Sequence, residues 1–307
     1  MAEIKSEILK TLAFYDIFEY PLTPLEIHKN LGTAADFADV AAALNELKIE
    51  NKIIMESGYF FLAGREDLAA ERKARFLISF KKLERAKKIA RLFAWFPFIK
   101  FIGACNSLGY FNAAEGSDID FFIITRRGRI WITRFLTTIP LIIFNLRPKA
   151  GNMRDKFCLS FYVADNALDI SSVALREGDP YFYHWFCWIL PLYDDGIWQK
   201  FIGANGWVKN YFPNFVPQNN YFALVPRSLG EVGPRPRFIK KIFEKLFFLP
   251  EKFFRWGQTL AMPRELKEAV FRGDNSVVIN DEMLKFHLLD RREEYKNNYE
   301  LRIKNYE

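Results

Sequence analysis

The residues best suited to chemistry in this sequence are two aspartates, Asp118 and Asp120, with one isoleucine between them. They open an apolar run, Phe121 to Ile124, that is typical of a β-strand. Side chains alternate along a strand, so both carboxylates lie on one face, about 6–7 Å apart, and Ile119 lies on the other. Two carboxylates at this spacing repel each other unless a cation lies between them. Because Mg²⁺ prefers carboxylate oxygens, the pair predicts a magnesium site.

A turn of small and polar residues precedes the aspartates. The apolar segment Phe98 to Ile102 predicts a strand, and Gly103 to Ser107 follows it. Backbone N–H groups in such a turn can approach a phosphate closely. Asn106 is one of the few non-glycine residue types that tolerate positive φ, so the turn remains possible with asparagine there. Ser107 stands eleven positions before Asp118.

This combination resembles the nucleotidyltransferase fold of the DNA polymerase beta superfamily, over roughly residues 98–165. In that family a Gly-Ser turn holds the nucleotide phosphates, and an Asp-x-Asp on the next strand holds the metals. Asn106 stands where the family usually has its second glycine. The resemblance implies Mg²⁺-dependent transfer of a nucleoside monophosphate from a nucleoside triphosphate (NTP) to an acceptor that the sequence does not identify. It implies catalytic and metal-binding roles for Asp118 and Asp120, and nucleotide-binding roles for Gly103, Asn106, Ser107, Ser117, Arg127 and Arg129.

The family usually carries a third carboxylate on the next strand, where it helps to bind the catalytic metal and can act as the base. The predicted strand Phe157 to Val163 offers Ser160 instead, and alternation places Cys158, Ser160 and Tyr162 on one face. Three acids lie nearby: Asp155, Asp165 and Asp169. Two functions therefore stay open. One is a transferase completed by one of these acids, and the other is a non-catalytic nucleotide-binding regulator that engages DNA or a protein partner.

Residues 1–66 predict a winged helix-turn-helix domain. Thr23-Pro24-Leu25-Glu26 is typical of a capped helix start, Phe37 to Leu47 predicts the third helix, and Ser57-Gly58 predicts a hairpin turn. In the DNA-binding interpretation the third helix enters the major groove. The residues predicted to be exposed on it are mostly acidic, which disfavours phosphate contact and leaves protein docking as the alternative: Asp36, Asp39, Asn45, Glu46 and Lys48.

The rest of the chain completes an α+β prediction: a nucleotidyltransferase-type mixed sheet with flanking helices, a winged helix before it and a mostly helical region after it. Residues 67–96 predict a basic connecting helix, 97–167 the core and 168–307 the helical region. Tryptophans in that region suit either a lid over the nucleotide or helix packing. Residues 237–256 predict a basic amphipathic helix that docks on the core or lies on a membrane surface; we favour docking, and hence no membrane partner.

Composition limits the classes of function. With 307 residues the chain has room for two or three domains, and its net charge of +7 favours a polyanionic partner such as a nucleotide or nucleic acid. Three cysteines without a CxxC spacing predict reduced thiols, and the N-terminus lacks a signal-peptide pattern, so we expect a cytoplasmic protein. The apolar run Ile130 to Leu146 contains Arg134 and Pro140 and predicts a buried helix.

Overall fold

The computed structural model describes residues 1–304 except 66, 97, 150, 219–249 and 274. Local sequence signals account for its N-terminal elements. Thr23 and Glu26 form a reciprocal capping box at the start of the second helix. Ser57 and Gly58 both have positive φ, which makes a tight two-residue hairpin turn. Leu22 bridges to Phe60 beside this hairpin. The elements are α1 (Ala2–Asp16), α2 (Pro24–Lys29), α3 (Phe37–Ile49), β1 (Ile53–Glu56) and β2 (Tyr59–Leu62).

A long helix, α4 (Leu68–Phe93), joins this region to the rest of the chain. The sequence predicts a basic connecting helix over residues 67–96, and the structure buries one face of α4 against the sheet. Leu83, Ala86, Ala90 and Phe93 belong to the core on this side of the sheet. Lys82 is buried among them, only 2% exposed.

The fold is α+β, organised around one six-stranded mixed sheet with strand order β6-β3-β4-β5-β8-β7. β4 and β5 are parallel, and the other neighbouring pairs are antiparallel. The strands are β3 (Ile99–Ala104), β4 (Ile119–Thr125), β5 (Phe157–Ala164), β6 (Leu190–Asp194), β7 (Val277–Ile279) and β8 (Met283–Phe286). The helices are α5 (Asn106–Gly109), α6 (Ile130–Ile143), α7 (Pro180–Cys187), α8 (Trp198–Ala204), α9 (Glu251–Leu260), α10 (Arg264–Phe271) and α11 (Arg292–Ile303).

The region predicted to be mostly helical, 168–307, supplies three of the six strands: β6, β7 and β8. Pro191 is the reason that β6 is hard to predict, because proline usually interrupts a strand. β6 lies at the edge of the sheet, where a missing N–H is tolerated, and Pro191 pairs there with Gly103. The sheet therefore depends on both the predicted core and the region after it.

The two faces of the sheet carry different layers. α4 and α6 cover one face, with Ile119, Phe121 and Ile123 in that core. On the other face, a continuous apolar core joins α1, α7 and α8 to the sheet. His184 is a satisfied core histidine in this layer: its ring stacks on Phe14 with centroids 3.9 Å apart, and its Nδ1 lies 3.1 Å from the Tyr15 hydroxyl. The N-terminal region is thus packed into the main body of the protein.

Residues 237–249 of the predicted amphipathic helix lie outside the described residues. Residues 251–256 belong to α9. α6 forms within the apolar run that predicts a buried helix, but it ends at Ile143, and its last two residues, Ile142 and Ile143, are exposed. In the described parts of the chain, no helix combines the length and the apolar character needed to cross a lipid bilayer. Cys105, Cys158 and Cys187 are all free thiols.

Candidate metal and nucleotide site

Asp118 and Asp120 converge with Cys158 at the start of the parallel strand pair β4 and β5. One ligand atom from each of the three side chains lies within 4.8 Å of the others. Ile119, between the two aspartates, is fully buried on the opposite face. The alternation predicted from the sequence thus places both carboxylates on one side, where they are half-buried.

The register of β5 decides which side chain stands beside the aspartates. Asp120 pairs with Cys158, whereas Phe122 pairs with Phe161, so β5 contains one extra residue, a β-bulge, between these pairs. The bulge reverses the alternation after Ser160. As a result Tyr162 lies on the other face, within 2.9 Å of the Thr137 hydroxyl of α6. The prediction of one face for Cys158, Ser160 and Tyr162 is therefore wrong, because it assumed an uninterrupted strand.

The nearby acids do not complete a three-carboxylate site. The Asp155 carboxylate accepts a hydrogen bond of 2.9 Å from Lys82. Asp165 accepts one of 2.8 Å from the backbone N–H of Arg127, at the far end of β5. Asp169 accepts one of 2.9 Å from the backbone N–H of Ser171. Within the described residues, the third member of the cluster is the thiol of Cys158.

Lys82 holds the loop that leads into Asp118, a role that sequence reasoning missed. Its ammonium donates to the carbonyl oxygens of Glu115 and Ser117, at 3.0 and 2.7 Å, and to the Asp155 carboxylate. Helical spacing could have indicated that Lys82 is buried. It lies three residues after Ser79 and one before Leu83, and both of these residues belong to the buried stripe of α4. Because α4 carries many lysines and arginines, the sequence pattern did not separate Lys82 from the exposed basic residues around it.

Electrostatics at the aspartates favour a bound cation. Burial raises the pKa of Asp120, and the neighbouring charge of Asp118 raises it further, while hydrogen bonds from Asn106 and Cys158 oppose the shift. Burial also raises the pKa of Asp118, against a backbone hydrogen bond and the positive charge of Lys82. Because the pKa of each carboxyl is raised, ionising the pair is costly, and a divalent cation bound to both carboxylates would offset their mutual repulsion.

The predicted phosphate turn is a short helix, α5. Asn106 begins it with φ of +53°, the left-handed conformation for which asparagine is suited. Its side chain hydrogen-bonds to Asp120, so the turn and the carboxylates are directly linked. Ser107 is half-buried in the same turn. Gly103 lies inside β3, where an added Cβ would stand 2.8 Å from side-chain atoms of Ile189 and Phe101, so close packing explains this glycine.

The other three residues predicted to bind the nucleotide are Ser117, which lies in the loop before Asp118, and Arg127 and Arg129, which lie beyond the far end of β4. The Ser117 hydroxyl donates to the carbonyl of Ala114 at 2.9 Å and closes the loop before Asp118. Arg127 and Arg129 follow the opposite end of β4, beyond Thr125. Five residues of strand from Asp120 to Thr125 span about 17 Å, so the structure does not bring these arginines to the carboxylates.

Hydrogen bonds continue from the aspartates across β5 to a histidine that the sequence did not indicate. Cys158 hydrogen-bonds to both Asp120 and Ser160. The Ser160 hydroxyl lies 3.2 Å from Nε2 of His287, in the segment after β8. Burial lowers the pKa of His287 to about 4. No sequence signal could have found this residue, because it lies 127 positions from Ser160 and reaches it only through the pairing of β5 with β8.

A cavity of about 200 Å³ opens beside these groups. Cys105 and Asn106 line it on the side of the aspartates, Ser160 and His287 on the side of β5, and Tyr181 and Trp185 of α7 along its wall. We refer to it as the side cavity.

Comparison with known proteins gives no further assignment: this chain matches no protein-family model, no curated protein and no solved structure.

Proposed function

We propose that this protein is a Mg²⁺-dependent nucleotidyltransferase that moves a nucleoside monophosphate from an NTP to an acceptor. The observation that carries the proposal is the convergence of Asp118 and Asp120, half-buried and mutually repelling, next to the turn at Asn106. The mixed sheet agrees with this interpretation, since β3, α5 and β4 follow one another as a strand, a small-residue turn and a carboxylate-bearing strand.

The donor set fits a hard divalent ion through its two carboxylates. Asp118 and Asp120 would hold Mg²⁺, which leaves coordination positions for phosphate oxygens and water. Burial raises the pKa of the Cys158 thiol, so it stays protonated and bonds to Asp120. A neutral thiol is a poor ligand for Mg²⁺, and Cys158 therefore supports Asp120 without binding the metal itself. When bound, the ion would neutralise charge on the transferring and leaving phosphates.

Binding of the phosphates would fall to the turn. The Asn106 side chain hydrogen-bonds to Asp120, and Ser107 follows Asn106 in the same turn. Ser107 and the backbone around Asn106 are therefore the groups that we assign to the β- and γ-phosphates. Arg127 and Arg129 lie at the opposite end of β4, so we do not assign them to the leaving pyrophosphate. In the reaction the acceptor oxygen bonds to the α-phosphorus, and pyrophosphate departs with the electrons of the broken P–O bond.

The test is binding and turnover of each α-³²P-labelled NTP with Mg²⁺. Wild-type protein is expected to release pyrophosphate or to label an acceptor, and the Asp118→Asn/Asp120→Asn double variant is expected to lose both nucleotide binding and turnover. Asp165→Asn is the matched control, because it removes a carboxylate from the other end of β5 and is expected to keep both. Failure of the wild type to bind any Mg²⁺–NTP would overturn the proposal.

A nucleotide-binding regulator is the second candidate, and Cys158 favours it. The place opposite Asp120 carries a protonated thiol instead of the third carboxylate that usually serves as base. In this case the same experiment gives tight Mg²⁺-dependent NTP binding without pyrophosphate release. A protein partner would then suit the N-terminal region better than DNA, because Asp36 and Asp39 are exposed on and beside α3.

A further inference from the structure

α9 packs on α6 with one side only. Phe254 is buried on this side, with its ring 5.0 Å from that of Phe135, and Gln258 donates to the carbonyl of Trp131 at 2.8 Å. The docking that the sequence favours for residues 237–256 therefore uses one side of α9. The other sides of this helix face away from α6 and are open to solvent or to a partner.

A second side of α9 is apolar and exposed. Phe253, Trp256 and Leu260 follow one another at spacings of three and four residues, so they form one stripe along the helix. They are 61%, 64% and 68% exposed, respectively. The stripe lies beside the docked side, because the rings of Phe253 and Phe254 are in contact, with centroids 5.7 Å apart.

The end of α6 is apolar and exposed as well. Ile143 and Phe144 are each 71% exposed, and Ile142 is exposed beside them. Phe135 lies seven residues before Ile142, on the same side of α6, and it contacts Phe254 of α9. We call these exposed side chains the α6–α9 face: Phe135, Ile142, Ile143, Phe144, Phe253, Trp256 and Leu260. Large apolar residues grouped in this way on a surface indicate an interaction site.

The charge of the two helices is strongly positive. Residues 130–149 and 251–260 contain five lysines and arginines but a single acid, Glu251. Its carboxylate already accepts a hydrogen bond of 2.6 Å from the backbone N–H of Trp131, at the start of α6. The next helix, α10, adds equal numbers of basic and acidic residues. The α6–α9 face therefore lies in a basic region.

Two of these cations are well placed to meet an anionic surface. Lys252 is exposed next to Phe253, and Lys149 is exposed five residues after Phe144. Arg255, by contrast, pairs with Asp281 at 2.8 Å. An aromatic and aliphatic stripe flanked by lysines is typical of a helix that lies in the interface of an anionic membrane. A protein partner matches this face less well, because lysine is depleted in protein–protein interfaces.

We propose that the α6–α9 face binds the surface of an anionic phospholipid membrane. The apolar side chains enter the headgroup layer, where tryptophan and phenylalanine are favoured, and Lys149 and Lys252 approach the lipid phosphates. This departs from the expectation of no membrane partner, because the exposed stripe becomes visible only when α9 is placed on α6. The inference is independent of the proposed function, since the metal and nucleotide site uses none of these residues.

Flotation of the full-length protein with phospholipid vesicles tests the proposal. We expect the protein to float with phosphatidylcholine vesicles that contain about 30% phosphatidylserine, and to stay unbound with phosphatidylcholine alone. High salt should weaken the binding, because it screens the attraction between the lysines and the lipid. Absence of flotation with the phosphatidylserine vesicles would overturn the proposal, and so would equal flotation with both kinds of vesicle.

An apolar variant tests whether this face makes the contact. Phe253→Ser/Trp256→Ser should weaken vesicle binding at least about tenfold, because both side chains lose their transfer into the headgroup layer. Both residues are exposed, so urea denaturation should show an unchanged fold. Leu77→Ser is the matched control on α4, where the residue is 63% exposed, and it should bind as wild type does. An equal loss in the two variants would contradict the proposal.

A charge variant tests the basic rim in the same way. Lys252→Gln should weaken binding to the phosphatidylserine vesicles about fivefold, the contribution of one basic residue near an anionic surface. Lys81→Gln, at an exposed position on α4, is the matched control and should bind nearly as wild type does. An equal loss in both variants would show that overall charge attracts the vesicles, and would overturn the assignment of this face.

Tryptophan emission locates the contact. Binding to the vesicles should shift the emission to shorter wavelength, because Trp256 moves from water into the headgroup layer. Trp256→Phe should still float but lose this shift, whereas Trp95→Phe, which replaces another exposed tryptophan, should keep it. A shift that survives Trp256→Phe unchanged would overturn the proposal.

A second copy of the chain is the alternative occupant of this face. Sedimentation analysis would then show a concentration-dependent dimer that Phe253→Ser/Trp256→Ser abolishes. Such a dimer, together with absence of vesicle binding, would overturn the membrane proposal.

Discussion

The electrostatic cost of two neighbouring carboxylates dominates the behaviour of the site at the scale of single residues. Asp118 and Asp120 share one face of β4, are half-buried, and lie beside the thiol of Cys158. The pKa of each is raised, chiefly by burial. A carboxyl group whose pKa is higher in the folded than in the unfolded protein lowers stability once the pH exceeds the unfolded value, because ionisation is then easier in the unfolded chain.

Removing one of these charges should therefore stabilise the metal-free protein. We expect Asp120→Asn to raise the free energy of unfolding by on the order of 1 kcal/mol at pH 8 in EDTA, and to have little effect at about pH 3, where the carboxyl is mostly protonated in both the folded and the unfolded state. Urea denaturation at the two pH values measures this difference. The exposed Asp169→Asn is the matched control and should change neither value. A variant that is less stable than wild type at pH 8 would contradict the electrostatic account.

At the scale of elements, the carboxylates depend on two supports that approach from opposite faces of the sheet. α4 supplies Lys82, whose ammonium binds two carbonyls of the loop before Asp118 together with the Asp155 carboxylate. On the other side, α5 lies close against the end of α7. An added Cβ on Gly109 would overlap the carbonyl oxygen of Trp188. The position of the turn is thus fixed by backbone contact.

Replacement of Lys82 tests the first support. Lys82→Met should lower the free energy of unfolding by about 2 kcal/mol, because it removes the ammonium from the Glu115 and Ser117 carbonyls and leaves Asp155 with Arg85 as its cationic partner. It should also weaken Mg²⁺ binding, since the loop that positions Asp118 is released. Urea denaturation and a metal titration measure the two effects. Lys81→Met, at the exposed neighbouring position, should leave both unchanged; an equal loss in the two variants would show that Lys82 has no special role.

Substitution of Gly109 tests the second support. Gly109→Ala should destabilise the protein by about 2 kcal/mol or more, because the new methyl group displaces either α5 or the carbonyl of Trp188. Gly116→Ala is the matched control in the loop before Asp118, where an added Cβ meets nothing within 4 Å. Thermal unfolding of both variants measures the difference. Similar melting temperatures would indicate that α5 can move away from α7 at little cost.

At the scale of the whole molecule, the N-terminal region, the sheet and the C-terminal helix share one core. Phe14 of α1 contacts both His184 of α7 and Tyr299 of α11. Arg302 of α11 forms an ion pair with the buried Asp16 of α1. This arrangement suits a module that docks on the main body, and it buries a histidine that would otherwise titrate near neutral pH.

The buried histidine makes stability depend on pH. Burial lowers the pKa of His184 to about 3, whereas an unfolded histidine titrates near 6.5. The unfolded chain therefore binds more protons between these values, and stability should fall by about 1.4 kcal/mol for each pH unit below 6.5 on account of this residue. Urea denaturation at pH 5 and 7 measures the slope. His184→Gln should reduce the slope of stability against pH by about 1.4 kcal/mol per pH unit, which corresponds to one proton. An identical slope in the variant and the wild type would contradict the assignment.

The sequence alone determined the features that depend on neighbours in the chain. The capping box at Thr23, the hairpin turn at Ser57 and the shared face of Asp118 and Asp120 follow from local hydrogen bonding, φ preferences and strand alternation. The left-handed conformation of Asn106 belongs to the same group, since asparagine tolerates it without help from distant residues.

The tertiary structure decided the features that depend on strand register and on distant segments. The register of β4 against β5 placed Cys158 beside Asp120, and the bulge that follows turned Tyr162 to the other face; only pairing between strands can fix such a register. β6 formed despite Pro191 because an edge strand does not need that N–H. His287 reached Ser160 because β8 pairs with β5. Each depends on contacts between residues far apart in the chain, whose energies no local pattern encodes.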